Sequence, residues 1–392
     1  MRTLVLGGDG YLGWPTALHL SEAGHDVAIA DSFVRRQYDH ELGVESLVPV
    51  EPLHTRVGVW KELTGRQLSM FRGDITDAEF TYEMIRGFRP DTIVHFAEQR
   101  AAPYSHIDRQ HAVYTQVNNL VGTLNILFAM ADIDPAIHLV KLGTMGEYGT
   151  PNIDIEEGWI EIEHKGRKDV LPYPKQPGSF YHLSKVHDSH NIMFTCRAWG
   201  LRATDLNQGI VYGQQTPQTA LDPRLATRFD YDAVFGTVLN RFVVQAVLAH
   251  PLTVYGSGGQ TRGLIDIRDT AECILLAAEN PPEPCEFRVF NQMTESLSVA
   301  EIAKTVAEAR GESARIEYLD PPRVEADTHH YNVAHSRLID LGLEPHLLSE
   351  TLLTSLFAIA EAHKDRADPE AIRPWIDWRR TTNRPPLTSP SP

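Results

Sequence analysis

The chain has 392 residues, 42% of them hydrophobic, and a formal net charge of −16 at pH 7. This length and composition can bury a substantial core as one large domain or two closely packed ones. The negative charge argues against a nucleic-acid partner, because polyanions are bound by clustered Lys and Arg and the sequence has no such cluster.

Two sequence features bear on location. No apolar run approaches the roughly 20 residues that a membrane helix needs, and no charged leader precedes the first apolar segment. The three cysteines, Cys196, Cys273 and Cys285, are scattered and odd in number, which is typical of a reducing compartment. We therefore expect a cytoplasmic protein without membrane insertion.

Short apolar strands alternate with amphipathic helices in the first half of the chain. This pattern predicts an α/β fold with a Rossmann-like, doubly wound parallel sheet. We expect strands at 3–6, 26–30, 69–72, 92–96 and 138–142. The stretch 39–65 is longer than a simple connection and predicts a lid or flap.

The alternation becomes irregular after about residue 206, which predicts a smaller second domain. We divide the chain into a Rossmann-like domain at 1–206 and a C-terminal substrate-binding domain at 207–378, and leave open that some later elements return to the first sheet. The polar tail at 379–392 is rich in Pro, Ser and Thr and predicts disorder.

A glycine-rich segment joins the first strand to the first helix. It comprises Gly7, Gly8, Asp9, Gly10, Tyr11, Leu12 and Gly13. Its glycines permit a tight turn and let the backbone approach a pyrophosphate at the helix N-terminus. Asp31 ends the second strand 18 residues after Gly13, where a carboxylate accepts hydrogen bonds from an adenosine ribose.

The residues after the second and third strands complete this candidate dinucleotide site. Asp31 favours NAD over NADP because it would repel a 2′-phosphate, although Arg35 and Arg36 follow closely and leave a phosphate possible. Asp74, followed by Ile75, is placed to contact the adenine end of the cofactor. An ordinary helix N-cap explains Asp74 equally well.

Tyr181 and Lys185 lie four residues apart at the start of a predicted helix, and hence on one face. A nearby ammonium stabilises a phenolate, so the tyrosine can act as a base. The pair alone is common. Thr144 follows the fifth predicted strand and can donate a hydrogen bond to the substrate oxygen from which Tyr181 would take a proton. This third residue makes the Tyr181–Lys185 pair informative.

Thr144, Tyr181 and Lys185 behind a glycine-rich loop resemble the extended short-chain dehydrogenase/reductase family, whose members act on nucleotide sugars. The resemblance implies that Tyr181 takes a hydroxyl proton, that Lys185 also holds the nicotinamide ribose, and that NAD is the cofactor. Within that family the chain is similar to the UDP-sulfoquinovose synthases. The matching segments are 35–36, 98–105, 140–158, 173–176, 180–188, 204–209 and 258–263.

The second resemblance implies that UDP-glucose and sulfite are joined through 4-keto and 5,6-ene intermediates with recycled NAD. Glu147 is then the candidate base for the C5 hydrogen, and His182 could carry a proton to the departing hydroxyl because imidazole titrates near neutrality. A loop carboxylate and a helix-start histidine are the alternatives. His187 and His190 lack an evident third ligand, so we expect no metal.

The two anions need local positive charge. Arg100, with Gln99 beside it, is the candidate for sulfite, although an ion pair with Glu98 explains Arg100 equally well. Asn207 and Gln208 can contact the diphosphate or sugar. The resemblance implies that Arg262, with Gln260 beside it, and Arg323 bind the diphosphate and that Glu325 contacts the ribose. Surface ion pairs are the alternative for either arginine.

Leu120, Leu124, Leu127 and Phe128 form an apolar stripe on a helix predicted at 119–131. The resemblance implies that this helix pairs across a two-fold axis in a homodimer, although packing within one chain explains the stripe equally well. Two other functions stay open: a UDP-glucose 4,6-dehydratase or epimerase that ignores sulfite, and a non-catalytic NAD-binding regulator.

Overall fold

The computed structural model of the protein describes residues 1–311, 314–323 and 328–379. Within these ranges the strands are β1 Arg2–Leu6, β2 Asp26–Asp31, β3 Leu68–Arg72, β4 Thr92–His95, β5 His138–Thr144, β6 Trp159–His164, β7 Arg167–Pro172, β8 Arg202–Gln208, β9 Ile210–Tyr212, β10 Leu252–Tyr255, β11 Thr261–Asp266, β12 Phe287–Gln292, β13 Glu295–Ser298 and β14 Ile316–Leu319. The α-helices are α1 Gly13–Glu22, α2 Val34–Leu42, α3 Leu53–Thr64, α4 Ala78–Phe88, α5 Arg109–Ile133, α6 Phe180–Trp199, α7 Val238–Val247, α8 Ile267–Glu279, α9 Val299–Arg310, α10 Arg337–Asp340, α11 Glu350–Ala362 and α12 Pro369–Ile372.

Seven strands form one parallel sheet in the order β12-β8-β5-β4-β1-β2-β3. Its central strands are apolar on both faces, with Leu4, Val5 and Leu6 fully buried. Residues of α1, α3 and α8 cover one face, and residues of α4, α5 and α6 cover the other. Because helices shield both faces, continuous apolar strands are stable here. The predicted Rossmann-like class is confirmed.

The five predicted strands are confirmed, with ends that shift by at most two residues. The lid or flap predicted at 39–65 is wrong. The stretch contains the end of α2 and all of α3, and both Arg56 and Trp60 of α3 are fully buried. These side chains anchor the insertion to the core, so it is a packed helical element.

The C-terminal half forms a smaller unit beside the carboxyl edge of the large sheet. It contains the three-stranded sheet β13-β11-β9 and the parallel pair β10-β14, with α7, α9 and α11 packed on a core of their own. The boundary predicted after residue 206 falls within β8, whose last residues are polar. β12 returns to the large sheet beside β8. No helix in the described part of the chain is long and apolar enough to cross a membrane.

Candidate active site

The glycine-rich turn has a backbone path that side chains would block. Gly7 has φ +86°, and the amides of Gly7 and Gly8 both donate to the carbonyl of Ala30 at the end of β2. A Cβ on Gly13 would lie 2.0 Å from the Gly7 carbonyl oxygen. The first turn of α1 has no side-chain cap, and because the Trp14 and Thr16 amides already donate to the Gly10 and Leu12 carbonyls, the amides open to a pyrophosphate are those just before them, at residues 11–13. These features fit a dinucleotide.

Asp31 lies at the end of β2, as predicted, and its carboxylate accepts from the amides of Asp9 (2.8 Å) and Phe33 (2.7 Å). Burial raises its pKa to about 6. Asp9 is itself paired with Arg36 at 2.7 Å and with the buried Arg56. The second strand, the glycine turn and the insertion are therefore tied together by charge.

Arg35 and Asp74 make contacts that the sequence did not predict. Arg35 pairs with Asp39 and lies 3.1 Å from Asp230. Asp74 accepts from the amide and hydroxyl of Thr76, while Asp77 caps α4. The N-cap explanation of Asp74 is therefore wrong, because Asp77 takes that position.

Asp74 also lines a second cavity of about 350 Å³, with Ser32, Val34, Gln37, Arg72 and Gly73. Ile75, the next residue, is buried against Gly122 of α5. Asp74 is therefore open to a ligand, whereas Ile75 supports the turn from beneath.

The main cavity, of about 600 Å³, opens at the carboxyl edge of the large sheet, where parallel sheets bind their ligands. Thr144 at the end of β5 and Tyr181 and His182 at the start of α6 all line it. Ser179 fixes the start of α6, since its hydroxyl accepts from the His182 amide at 3.0 Å. The predicted catalytic residues thus converge from two elements.

Lys185 lies one helical turn below Tyr181, with its Nζ 5.9 Å from the centre of the phenol ring. Its ammonium donates to the Leu142 carbonyl at 2.6 Å and pairs with Glu98. Burial raises the pKa of Tyr181, and Lys185 opposes that rise. The predicted ion pair between Glu98 and Arg100 is wrong. Glu98 pairs with Lys185, and Arg100 pairs with Asp230 at 2.5 Å.

A buried charged cluster lies beneath the cavity. Its members are Glu98, Lys141, Glu147, Lys185, Asp188 and Asp205. The Lys141 ammonium lies 3.4 Å from both Glu147 and Asp205. Burial lowers the pKa of Lys141, but these carboxylates more than offset that effect and the net pKa is raised. Burial and the neighbouring Glu98 raise the pKa of Asp188 well above its usual value.

Glu147 belongs to this cluster, and its side chain does not line the cavity. Its carboxylate lies 2.5 Å from the ammonium of Lys175 and accepts from Ser189 and from the amide of Thr144. Burial raises its pKa, but Lys141 and Lys175 prevail and hold it at about 2. The assignment of Glu147 as a base remains a prediction.

Two other predicted substrate contacts are also buried away from the cavity. Gln99 donates to the Ala101 carbonyl and to Thr115, both at 3.0 Å. Asn207 donates to the Tyr148 hydroxyl at 2.6 Å. Both side chains hold the loops that shape the cavity, and neither lines it.

The remaining predicted substrate residues do line the main cavity. They are Arg100, Gln208, Gln260, Arg262 and Arg323, together with Tyr11 and Leu12 of the glycine segment. Glu325 lies outside the described residues. Cavity-lining Arg262 and Arg323 give one end of the cavity the positive charge that a diphosphate requires.

The electrostatics of His182 differ from the prediction. Burial, followed by Arg323, lowers its pKa to about 3, and Arg262 contributes as well. The imidazole is therefore neutral at pH 7, and near-neutral titration of His182 is wrong for the ligand-free protein. A Cβ on Gly146 would lie 2.3 Å from His182 Nε2, so the glycine makes room for the ring.

Sequence reasoning missed an apolar wall of the cavity. It consists of Ala101, Val234, Phe235, Trp375, Ile376 and Trp378. These residues come from three distant segments, and no local motif marks them. Among the described residues, no group of three or more His, Cys, Asp or Glu side chains could hold a metal ion.

Comparison with known proteins shows the family. Residues 3–291 match the family model described as the NAD dependent epimerase/dehydratase family. A chloroplastic UDP-sulfoquinovose synthase of Spinacia oleracea is 58% identical over 98% of this chain and 80% of its own length. A UDP-sulfoquinovose synthase of Sulfolobus acidocaldarius is 46% identical over 88% of each chain.

Solved structures support the fold alone. The UDP-glucose 4-epimerase of Thermus thermophilus, in complex with NAD, has a TM-score of 0.64 and 24% identity over 94% of this chain and all of its own. The UDP-glucuronic acid 4-epimerase of Bacillus cereus, in complex with UDP-glucuronic acid and NAD, has a TM-score of 0.69 and 19% identity over 92% of this chain and 99% of its own.

Proposed function

The chain belongs to the UDP-sulfoquinovose synthases of the NAD-dependent epimerase/dehydratase family, and from this we propose that its main cavity joins sulfite to UDP-glucose. The observation that carries the proposal is the convergence of Thr144, Tyr181 and the arginines Arg100, Arg262 and Arg323 on one cavity. The cavity thus combines a group that can take a hydroxyl proton with enough positive charge for two anions.

Bound NAD would supply a hydride acceptor for C4 of the sugar and would return the hydride at the end of the cycle. Tyr181, assisted by the ammonium of Lys185, removes the proton of the C4 hydroxyl, and Thr144 hydrogen-bonds the same oxygen. The glycine turn that leads into α1 would hold the pyrophosphate, and Asp31 would accept from the adenosine ribose.

The resulting 4-ketone acidifies the C5 hydrogen, so a base can remove it while the C6 hydroxyl leaves as water. We assign removal of the C5 proton to Glu147. We assign delivery of a proton to the leaving hydroxyl to His182, whose imidazole is neutral in the ligand-free protein and would gain that proton once bound UDP offsets the charge of Arg262 and Arg323. The His182 role is supported by its position on the cavity surface. Sulfite then forms a carbon–sulfur bond at C6, C5 regains a proton, and the ketone is reduced at C4.

Arg262 and Arg323 are proposed to bind the diphosphate, with Gln208 and Gln260 beside the sugar, and Arg100 is proposed to attract sulfite. The Arg100 role is supported by a local excess of positive charge. Three guanidinium groups, those of Arg35, Arg100 and Arg228, share two carboxylates: all three lie within 3.2 Å of Asp230, and Arg35 and Arg228 also pair with Asp39. Sulfite would add the negative charge that this group lacks.

The test is to incubate the purified protein with UDP-glucose and sulfite, without added NAD, and to follow the mass of the nucleotide sugar. We expect a UDP-sugar with sulfonate in place of the C6 hydroxyl, one bound NAD per chain and no net NADH. Loss of water alone, or a change of sugar configuration alone, even with NAD supplied, would replace this proposal by the dehydratase or epimerase alternative.

We further propose a homodimer. Val113, Val117 and Val121 recur every four residues on α5 and are 44, 52 and 36% exposed, and Phe194 on the adjacent α6 is 52% exposed. The predicted stripe is displaced in part: Leu127 is buried and Leu120 and Leu124 are half-buried, but Phe128 is 49% exposed. An exposed apolar face of two packed helices suits a two-fold interface. Light scattering should show a dimer for the wild type and a monomer for Val117→Asp.

The proposed location is the cytoplasm. It is supported by the three cysteines, which are free thiols, with Cys196 and Cys273 buried and Cys285 exposed.

A further inference from the structure

The last described segment of the chain, residues 373–379, forms part of the cavity surface. We call it the C-terminal strap. Pro374, Trp375, Ile376 and Trp378 of the strap all line the main cavity. The amide of Trp378 donates to the Pro322 carbonyl at 2.9 Å, which joins the strap to the segment that bears Arg323. The strap therefore forms one wall of the cavity and is fixed to the segment that bears Arg323.

Trp378 connects the strap to both ends of the candidate site. Its ring stacks on His106 with centroids 4.8 Å apart and planes 7° apart. His106 in turn lies 5.2 Å from the ring of Phe180, the neighbour of Tyr181. The guanidinium of Arg323 lies 5.0 Å from the Trp378 ring centre. Removal of this indole would open the cavity between the catalytic helix and the diphosphate arginines.

The strap is also anchored to the facing part of the apolar wall. The Ala233 amide donates to the Ala371 carbonyl at 2.9 Å, just before the strap, and the Asp368 amide donates to the Tyr231 hydroxyl at 2.7 Å. Val234 and Phe235 follow directly and pack in one cluster with Ile376. Their surface offers water no hydrogen-bond partner, so it disfavours ordered water near the sugar.

The proposed synthase reaction requires that bulk water be excluded from the sugar, and this inference rests on that proposed function. The 5,6-ene is electrophilic at C6. Sulfite adds through its sulfur lone pair, the carbon–carbon π electrons move to the C4 oxygen as an enolate, and C5 then takes a proton. Water can add at the same carbon, lose a proton and regenerate the original C6 hydroxyl. Bulk water is far more abundant than sulfite.

We propose that the C-terminal strap, through Trp375 and Trp378, is the specificity element that keeps bulk water from C6 so that sulfite captures the intermediate. In this arrangement the water molecule released from C6 remains near the intermediate, whereas bulk water does not reach it. Trp375 and Trp378 are positioning residues, since they act by excluding solvent.

The test follows solvent isotopes in recovered UDP-glucose. The holoenzyme is incubated with UDP-glucose and limiting sulfite, once in H₂¹⁸O and once in D₂O. Deuterium at C5 reports that the 4-ketone forms and loses its C5 proton, and ¹⁸O at C6 reports loss of the original hydroxyl and capture of the 5,6-ene by bulk water. For Trp378→Ala we expect the ratio of C6 ¹⁸O to sulfonate product to rise about tenfold over wild type, equivalent to about 1.4 kcal/mol in relative barriers.

Three variants make the result specific. Trp378→Phe keeps a flat ring against His106 and should restore most of the wild-type ratio. Trp159→Ala removes a half-buried tryptophan of β6 outside the cavity and should leave the ratio unchanged. Trp375→Ala serves as a second test if Trp378→Ala does not fold.

The outcomes separate the two proposals. Equal ratios in wild type and the strap variants, with deuterium at C5 in both, would overturn the role of the strap. Rapid ¹⁸O exchange in the wild type would overturn it as well. Absence of both C5 deuterium and sulfonate in the wild type would instead count against the proposed function.

Discussion

The buried charged cluster beneath the main cavity and the apolar wall that lines the cavity differ in composition and origin. The cluster is dense in ionisable groups, and four of its six members come from β5, α6 and the short turn that follows β5. The wall is apolar, and its members lie as far apart in sequence as Ala101 and Trp378. The charged groups therefore all come from the part of the chain that builds the large sheet, between Glu98 and Asp205, whereas the apolar wall also draws on segments near residues 234 and 375.

The difference also concerns how substitutions should act. A charge removed from the cluster leaves its partners buried without compensation, which affects both stability and chemistry. A ring removed from the edge of the wall opens a path for water while the ionisable groups stay in place. Cluster variants should therefore lose turnover, and wall variants should lose selectivity.

The largest effect should follow Glu147→Gln. Loss of a proton-transfer group costs about 10²- to 10⁴-fold in rate, and we expect sulfonate formation to fall by that factor while NAD stays bound. The measurement is single-turnover product formation together with bound NAD per chain. Glu156→Gln in the following loop is the matched control and should keep its activity. Unaltered turnover in Glu147→Gln would remove Glu147 from the chemistry and leave it a support for Thr144.

Lys141→Met should mainly reduce stability. Lys141 is fully buried and lies between Glu147 and Asp205, so its loss leaves carboxylates unpaired in the interior. Breaking such a buried pair typically costs about 3–5 kcal/mol in the free energy of unfolding. Urea unfolding of wild type and variant measures this loss in the free energy of unfolding. Lys168→Met, at a side chain 82% exposed, is the control and should change the unfolding free energy by less than about 0.5 kcal/mol. Equal stabilities would show that the cluster adjusts by protonation.

The same contrast explains what the sequence could and could not predict. The strand pattern, the glycine turn and the Tyr181–Lys185 spacing depend on local periodicity, so the sheet, the turn and the placement of Tyr181 and Lys185 on one helix were predicted correctly. Glu147 and Asn207 belong to recognisable motifs, but a motif does not tell which side of the backbone faces the ligand. Trp375 and Trp378 approach the cavity only because the chain returns across it, and local patterns contain no signal for that return.

The titration of His182, which lies between the cluster and the diphosphate arginines, tests whether burial or the nearby charges set a pKa in this cavity. Burial and Arg323 lower its pKa to about 3 in the ligand-free protein, so it should stay neutral down to about pH 4. Bound UDP would offset the charge of Arg262 and Arg323, and the pKa should then rise. Imidazole chemical shifts recorded against pH, with His182→Gln for assignment, measure the change. An identical midpoint with and without UDP would show that burial alone sets the value.

The smallest effect concerns Asp31, a carboxylate that is buried without an ammonium or guanidinium bonded directly to it. Burial raises its pKa to about 6 although two amides donate to it. Because the folded pKa is raised, the folded state takes up a proton more readily than the unfolded one, and protonation removes acceptors from the ribose site as pH falls through 6. A pKa near 6 predicts about a fourfold weaker affinity for NAD at pH 5.5 than at pH 7.5. Titration calorimetry of NAD-depleted protein measures this, and Asp31→Asn should bind weakly with little dependence on pH. A pH-independent affinity in the wild type would mean that the bound ribose keeps Asp31 ionised throughout, as Lys141 and Lys175 already do for Glu147 inside the charged cluster.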